Sequence, residues 1–515
     1  MAKEKKASAQ QEPPKGRRYV GPRETIGFVL FDVAASFHIQ NRNGEFTDRI
    51  LNISKGWQAA ITPFATAWDI INDLFVAAFV DKTRTRFGKF KPYLVLYPLY
   101  GIPMSLLFYA LPYLFWGTTN DFLPKIILWA AVNMFNELTG TLAGMCRTGM
   151  IANITPDTYE RLSLITKANF FSMFGEELPQ QIFKIIMDVV ARQTNKFTPL
   201  QINLKLRPLF LTFGMGTIVV SGLFSLYFAL VTRERVFGGE QSREEVPSMR
   251  EQLRGLMRNR PLFMLTISDI LGGFSVKSQM GTYTDSILNF RNFGTVSGIP
   301  GSPVSYISYA YVPWMRERFS TKSVWLVSQH IEQPLILLIY FFGMIKKKTP
   351  YTNKQGMRIT YMFQDLVPML VAFGIQTTIA MGFYGAKKVI PAEMYNECID
   401  YGEWKNGFRS EGMSGALRSM PPKITNSIGS ALTNALLEMI GFRTGEDYNF
   451  QDERTARGVF ALATIIPILT GLIGTIPKLL YNISKEDREK MYADLAERRR
   501  VVAEAHALHE AAEAG

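Results

Sequence analysis

Long apolar runs alternate with short, strongly basic loops along most of this chain. Crossing a membrane takes about 20 mostly apolar residues in a helix, because the hydrocarbon offers no hydrogen bonds to the backbone. We predict about twelve such segments, near 24–40, 57–80, 94–115, 124–152, 164–191, 208–232, 261–290, 303–316, 323–345, 366–392, 410–440 and 458–481. The eighth, SPVSYISYAYVPWM, is short and polar, and we expect it to be broken or tilted. The pattern therefore predicts an all-α membrane protein.

Basic side chains cluster beside the apolar segments. The chain has 57 Lys and Arg against 44 Asp and Glu, and such a balance can indicate a nucleic-acid partner. The clustering instead favours loops held on the cytoplasmic side, so we expect lipid and no nucleic acid as a partner. One basic loop, 346–358, disagrees with this orientation. We predict a multi-pass protein of the inner membrane with both termini in the cytoplasm.

A polar stretch near the middle divides the apolar segments into two sets of six. This layout is typical of transporters built from parallel repeats, whose substrate binds near the midplane between the halves. We predict a cytoplasmic tail, a six-helix bundle, a central cytoplasmic loop, a second six-helix bundle and a helical cytoplasmic tail, at 1–23, 24–232, 233–260, 261–481 and 482–515.

The second apolar segment contains the stretch AWDIINDLF, with Asp69 and Asp73 one helical turn apart. Residues i and i+4 share a helix face, and two ionised carboxylates there repel each other in a medium of low dielectric constant. A shared cation or a proton relieves this repulsion, and the Asn72 amide offers a further oxygen ligand. The functional interpretation is a site for Na⁺ or H⁺. Salt bridges to Lys or Arg on a neighbouring helix are the structural alternative.

Other ionisable residues also fall inside predicted segments, where they are costly and mark candidate functional sites. They include Asp32, Glu137, Arg147, Lys167, Glu176, Glu177, Lys184, Asp269, Lys277, Asp285, Lys387, Lys388, Arg418 and Lys423. The sequence contains no Walker loop, no metal-ligand histidine cluster and no Gly-x-Ser-x-Gly elbow. We therefore expect a protein that is not an enzyme and needs no cofactor besides a coupling ion.

Two long stretches resemble the glycoside–pentoside–hexuronide:cation symporters of the major facilitator superfamily: WDIINDLFVAAFVDKTRTRFGKFKPYLV and CIDYGEWKNGFRSEGMSGALRSMPPK. A weaker match is ITPDTYERLSL, and because all three agree in order and spacing, the resemblance covers essentially the whole chain. The resemblance implies the major facilitator fold with twelve helices. It also implies site roles: cation ligands at Asp69, Asn72, Asp73 and Thr141, a coupling lysine at Lys423, which also lies near the sugar, and a sugar-binding aspartate at Asp32.

The chain departs from the family pattern where galactoside carriers hold their sugar. Gly144 stands at the position of a helix-four aspartate, and Lys167 immediately precedes the position of a helix-five arginine. Cationic side chains occur instead, among them Arg147, Lys277, Lys387 and Lys388. We read these as candidate ligands for an acidic substrate, such as a hexuronide or a sulfonated sugar. Pairing with Asp32, Glu137, Glu176 or Glu177 is the alternative for any one of them.

The resulting hypothesis is a symporter that couples entry of Na⁺ or H⁺ to uptake of a sugar or glycoside. Asp81, Arg84 and Arg86 would latch the cytoplasmic side when the carrier faces outward. Two alternatives remain open. One is transport of a lysolipid or another organic anion, and the other is a membrane sensor that transports nothing.

Overall fold

The structure is a computed structural model, and the described residues form several ranges. These are 19–83, 85, 88, 90–155, 158–193, 196–233, 259–345, 351–352, 358–359, 366–406, 411–481, 483, 486–495 and 497. The chain forms two compact units. Unit one takes most of the first half, and unit two takes most of the second half together with Lys55–Thr66.

Unit one is built from long helices, several of which begin at a proline. Proline suits the first turn because that turn needs no N–H donor. Thr198 and Gln201 form a reciprocal cap at the start of the last one. The helices are α1 (Pro22–Ser36), α2 (Lys55–Lys82, of which the part from Ala67 belongs to this unit), α3 (Lys91–Leu114), α4 (Leu123–Asn153), α5 (Thr158–Ala191) and α6 (Pro199–Val231).

One buried cluster of unit one joins side chains of all six of these helices. Phe31 and Phe228 stack with their ring centroids 4.5 Å apart. Val76 and Val80 of α2 belong to the same cluster as Cys146 and Met150 of α4. The polar stretch of α2 therefore leads directly into a core that it shares with α4.

Unit two contains shorter helices and more breaks. Its helices of ten or more residues are α7 (Arg260–Gly273), α8 (Thr321–His330), α9 (Gln333–Ile345), α10 (Leu366–Met381), α11 (Tyr384–Asn406), α12 (Glu411–Met439), α13 (Glu453–Ala463) and α14 (Ile465–Leu479). A two-residue strand, β1 (Tyr351–Thr352), pairs antiparallel with β2 (Arg358–Ile359). The predicted eighth segment is broken into two seven-residue helices, Ser302–Ser308 and Val312–Arg318.

Length and composition qualify four helical stretches of the described residues as membrane spans: Lys91–Leu114, Pro199–Val231, Thr321–Gly343 and Glu453–Leu479. Helices α10 and α11, bent by 49° at their junction, make a fifth if they count as one span. The count of twelve spans thus stays a prediction. The predicted seventh segment, 261–290, is not continuous, because α7 ends at Gly273 and helix resumes at Met280.

The two units contain copies of one local sequence and structure, FTDRILN at 46–52 and YTDSILN at 283–289. Each copy forms a five-residue π-helix and then places its asparagine in the left-handed region, with φ of 54° at Asn52 and 48° at Asn289. The match continues toward the N-terminus without a gap and at the same residue offset. It pairs Gly44 with Gly281, Phe37 with Phe274, and Asp32 with Asp269. This internal repeat was not among the predictions from the sequence.

A buried ionic cluster lies near the end of α11 in unit two. The Glu397 carboxylate, 1% exposed, accepts hydrogen bonds from Arg316 at 3.1 Å and from the Tyr481 hydroxyl at 2.8 Å. Burial, reinforced by the neighbouring Asp400 carboxylate, raises the pKa of Tyr492 to about 12. Tyr492 belongs to the helical stretch 486–495, which is packed onto this unit, since the Trp404 indole N–H donates to Asp494 at 2.9 Å.

Candidate functional site

The polar face of α2 contains a buried amide between two carboxylates. Asp69 is half-buried, while Asn72 is only 2% exposed. Neither the oxygen nor the nitrogen of the Asn72 side chain has a hydrogen-bond partner among the described residues. Asp73 follows on the same helix, and its side chain lies outside the described part of the structure. An amide oxygen in this state is suited to ligate a cation.

Helix α4 brings Thr141 toward the same stretch of α2. The Trp68 indole N–H donates to the Met134 carbonyl at 2.8 Å, and farther along both helices Val76 and Leu142 belong to one core. At 1.5 Å per residue, Asn72 lies about 6 Å beyond the first contact along α2 and Thr141 about 10 Å beyond it along α4. The positions of Asn72 and Thr141 along their helix axes therefore differ by less than one helical turn, as a shared site requires.

Asp32 is buried in α1 and accepts a hydrogen bond of 2.6 Å from the Ser172 hydroxyl of α5. Lys167, also on α5, has an exposed side chain. At Gly144 on α4, a Cβ atom would meet no heavy atom within 4 Å. The position of the missing helix-four carboxylate therefore has open space around it.

The remaining cationic candidates have different surroundings. Lys387 forms an ion pair of 2.7 Å with Glu332, and Lys277 donates to the Asn426 amide oxygen at 2.8 Å. Lys387 thus pairs with a carboxylate, but its partner Glu332 was not among the predicted partners. Lys388 is exposed, 5.5 Å from the centroid of the Tyr384 ring. The side chain of Arg147 lies outside the described part of the structure.

Glu332 could have been noticed from the sequence, because it lies inside the predicted ninth segment, in SQHIEQPLILL. The structure has a turn at that point, between α8 and α9. His330, two residues earlier, is bonded to the Thr475 hydroxyl at 3.2 Å through its Nε2. A polar group in a membrane span usually faces other protein groups. Glu332 and His330 both do so.

Lys423 of α12 has an exposed side chain and lines a cavity of about 540 Å³ inside unit two. Asp269 of α7 and Lys478 of α14 line the same cavity and are 3.1 Å apart. The structure therefore places Lys423 among charged side chains of its own unit. Its coupling role stays a prediction.

The predicted cytoplasmic latch lies largely outside the described residues. Asp81 belongs to the last turn of α2, but its side chain is not described. Arg84 and Arg86 fall in a gap of the description. Their roles stay predictions.

Comparison with known proteins gives consistent results. The family model described as MFS/sugar transport protein matches residues 25–485. The chain is 23% identical to the isoprimeverose transporter of Lactiplantibacillus pentosus, over 88% of this chain and 86% of that protein. It is 24% identical to the inner membrane symporter YicJ of Escherichia coli (strain K12), over 93% and 95%. It is 22% identical to the glucuronide carrier protein homolog of the same organism, over 93% and 96%.

The nucleoside transporter NupG, solved as a mutant, has the same fold with a TM-score of 0.50. Its sequence identity is 11%, over 89% of this chain and 98% of that one, so this likeness concerns the fold alone. The relatives are transporters and symporters rather than enzymes, and the family and the apolar helices support a multi-pass inner-membrane protein. The chain belongs to the MFS/sugar transport protein family, the glycoside–pentoside–hexuronide:cation symporters of the major facilitator superfamily.

Proposed function

We propose that this protein is a symporter that couples Na⁺ entry to uptake of an acidic sugar or glycoside, with no cofactor. The cation binds Asp69, Asn72, Asp73 and Thr141, and Lys423 couples it to the substrate. The observation that carries the proposal is Asn72, a buried amide with no hydrogen-bond partner among the described residues, next to Asp73 and one turn from Asp69.

The choice of Na⁺ over H⁺ follows from the ligand types. A proton needs one carboxylate, whereas a hard cation needs several oxygen atoms, and the Asn72 amide and the Thr141 hydroxyl supply oxygens beyond the carboxylates. The choice of an acidic substrate is supported by the lysines in the membrane segments. It is also supported by a relative that is named a glucuronide carrier homolog.

Transport follows an alternating-access cycle. Cation binding neutralises the repulsion between Asp69 and Asp73, so the substrate binds more tightly to the cation-loaded carrier. Asp32, Arg147, Lys167 and Lys388 remain candidate substrate ligands. The latch of Asp81, Arg84 and Arg86 closes the cytoplasmic side in the outward-facing state.

The proposal includes the arrangement of the chain in its membrane. The stretches 24–232 and 261–481 form the two six-helix bundles, 233–260 is the cytoplasmic loop between them, and the tails 1–23 and 482–515 are both cytoplasmic. Accessibility of tags at the two termini in inside-out and right-side-out vesicles tests the orientation. Protection of either tag in inside-out vesicles would overturn it.

The test of the function is uptake by vesicles of methyl β-D-glucuronide and methyl β-D-glucoside, which differ in the acid group. A Na⁺ gradient should drive uptake of the glucuronide. Asp73→Asn should lower this uptake by about tenfold or more, a loss of at least 1.4 kcal/mol in binding or transition-state free energy. Asp452→Asn is the matched control, because that carboxylate is exposed and pairs with Arg443.

Full Na⁺-driven uptake by Asp73→Asn, at unchanged protein levels in the membrane, would contradict the cation site. Uptake that follows a pH gradient and ignores Na⁺ would assign H⁺ as the coupling ion. Uptake of the glucoside alone would rule out the acidic substrate.

A further inference from the structure

A cavity inside unit two lies among α7, α8, α9, α12 and α14. Its volume of about 540 Å³ is in the range of roughly 300–1,000 Å³ that small-molecule sites occupy. Amide and hydroxyl side chains line it, among them Gln329, Gln333, Asn426 and Thr475. The cavity therefore offers hydrogen-bonding groups for a polar ligand.

Its charged lining favours an anion. Among the described residues that line it, Lys423 and Lys478 carry positive charge and Asp269 carries negative charge. Lys478 donates to Asp269 at 3.1 Å, and an ammonium group has three N–H donors. Within the described residues, the structure gives Lys478 no second hydrogen bond. The remaining donors can hold a carboxylate or a sulfonate in charge-assisted hydrogen bonds.

An aromatic ring and a histidine complete one wall. The Lys478 ammonium lies 4.7 Å from the centroid of the Trp325 ring. His330 packs edge-on to the same ring, and its Nδ1 is buried without a hydrogen-bond partner among the described residues. A buried ring nitrogen in this state is unfavourable unless a water molecule or a ligand hydroxyl pairs with it.

The internal repeat gives an independent reason to consider this cavity. Asp269 is the second-half counterpart of Asp32, at the same position of the repeated sequence. Asp32 accepts a hydrogen bond from a neutral hydroxyl, of Ser172, whereas Asp269 accepts one from an ammonium group. The second copy therefore brings the Lys478 ammonium group to this position of the repeat, inside the cavity.

We propose that the unit-two cavity binds the acidic end of a hydroxylated, sugar-sized organic anion. Lys478 and Lys423 hold its carboxylate or sulfonate, Trp325 packs against its ring, and His330 pairs with one of its hydroxyls. The inference rests on the proposed function for the substrate class and goes beyond it by assigning a substrate site within unit two.

The test measures binding of the same two glycosides to the purified full chain in lipid nanodiscs by calorimetry, without Na⁺. The wild type should bind methyl β-D-glucuronide about tenfold more tightly than methyl β-D-glucoside, or better. The double variant Asp269→Asn/Lys478→Gln should lose this preference, whereas Lys478→Arg, which keeps the charge, should retain most of it. Lys490→Gln, an exposed lysine near the end of the chain, is the control.

A variant that fills the cavity provides a second test in case the double variant misfolds. An added Cβ at Gly471, which lines the cavity, meets no heavy atom within 4 Å, so Gly471→Leu fills the space without changing a charge. It should weaken glucuronide binding by about tenfold or more. Melting temperature and gel-filtration elution check the fold of every variant.

The outcomes separate this inference from the proposed function. Glucuronide binding that is unchanged in folded Gly471→Leu or in the folded double variant overturns the unit-two site, even if vesicles show Na⁺-driven uptake. Binding that is lost in these variants supports the site, even if uptake ignores Na⁺. A wild type that binds both glycosides equally overturns the assigned ligand class.

Discussion

Asn72 is a buried amide with an energetic cost that is not offset by hydrogen bonds among the described residues. An unsatisfied buried polar side chain costs roughly 1–3 kcal/mol. Asn203, equally buried at 2% exposure, differs because its oxygen accepts from Arg49 at 2.7 Å and its nitrogen donates to the Gly445 carbonyl at 3.1 Å. The two asparagines form a natural pair for separating structure from ion binding.

We predict opposite effects on stability for leucine at these two positions. Asn72→Leu removes an unpaired amide, so the melting temperature should stay equal or rise while Na⁺ affinity falls about tenfold or more. Asn203→Leu removes the acceptor of the buried Arg49 Nε–H, and should cost roughly 1–3 kcal/mol of unfolding free energy. Thermal unfolding in detergent and Na⁺ calorimetry measure both quantities. Strong destabilisation by Asn72→Leu would show that the amide is structural.

The candidate cation residues could be predicted from the sequence because a carboxylate is conspicuous in an apolar segment. Asp69 and Asp73 stand out in this way, and the helical period alone places them on one face. The pairing of Lys387 with Glu332 could not be predicted, since it depends on which helices pack together. The empty space beside Gly144 likewise becomes visible only once neighbouring helices are placed.

At the scale of elements, α7 and α14 cross at two glycines. A Cβ on Gly474 would lie 2.6 Å from the Gly272 Cα atom, which is backbone and cannot rotate away. The Ser268 hydroxyl also donates to the Gly474 carbonyl across this contact. Small residues let two membrane helices approach this closely, and the crossing helps to fix the wall of the unit-two cavity.

Gly474→Ala should therefore destabilise the protein by roughly 1–3 kcal/mol, as overpacking does. Gly471→Ala is the matched control, one turn earlier on α14 and with open space at its Cβ. It should be neutral or stabilise by up to about 1 kcal/mol, because alanine is the better helix former. Equal melting temperatures for the two variants would contradict the close crossing.

Element positions were predicted well where the segment is one uninterrupted helix, as for α3 and α12, whereas α6 ends as predicted but begins earlier, at Pro199. Breaks were predicted poorly, because hydropathy averaged over a window does not detect a turn. The gap after Gly273 and the turn before Gln333 are examples. The eighth segment is the exception, since its serines and tyrosines already indicated a weak span.

At the scale of the whole molecule, the proposed cation site and the proposed acid-binding site belong to different units. Linkage requires their coupling to be reciprocal: the factor by which Na⁺ tightens substrate binding equals the factor by which substrate tightens Na⁺ binding. This holds whatever path connects the two sites. It makes the proposed symport testable by equilibrium binding alone.

We predict that saturating Na⁺ raises the affinity for methyl β-D-glucuronide by roughly 5–150-fold, the usual range of such couplings. Saturating glucuronide should raise Na⁺ affinity by the same factor, measured by calorimetry in both orders of addition. Lys423→Gln should bring both factors toward one, and Lys490→Gln should leave them unchanged. A wild type in which the two ligands bind independently would contradict coupling.

The repeated turn that ends at Asn52 and at Asn289 has a consequence for how this protein could diversify. An ungapped match over this length is typical of a duplicated and fused ancestor, in which both copies once had the same residues. In a symmetric dimer of identical chains, one substitution changes both copies of a site at once, because every residue occurs twice. Fusion removes that constraint, so the positions of Asp32 and Asp269 can acquire different neighbours. A single polypeptide can then hold a different binding environment in each half.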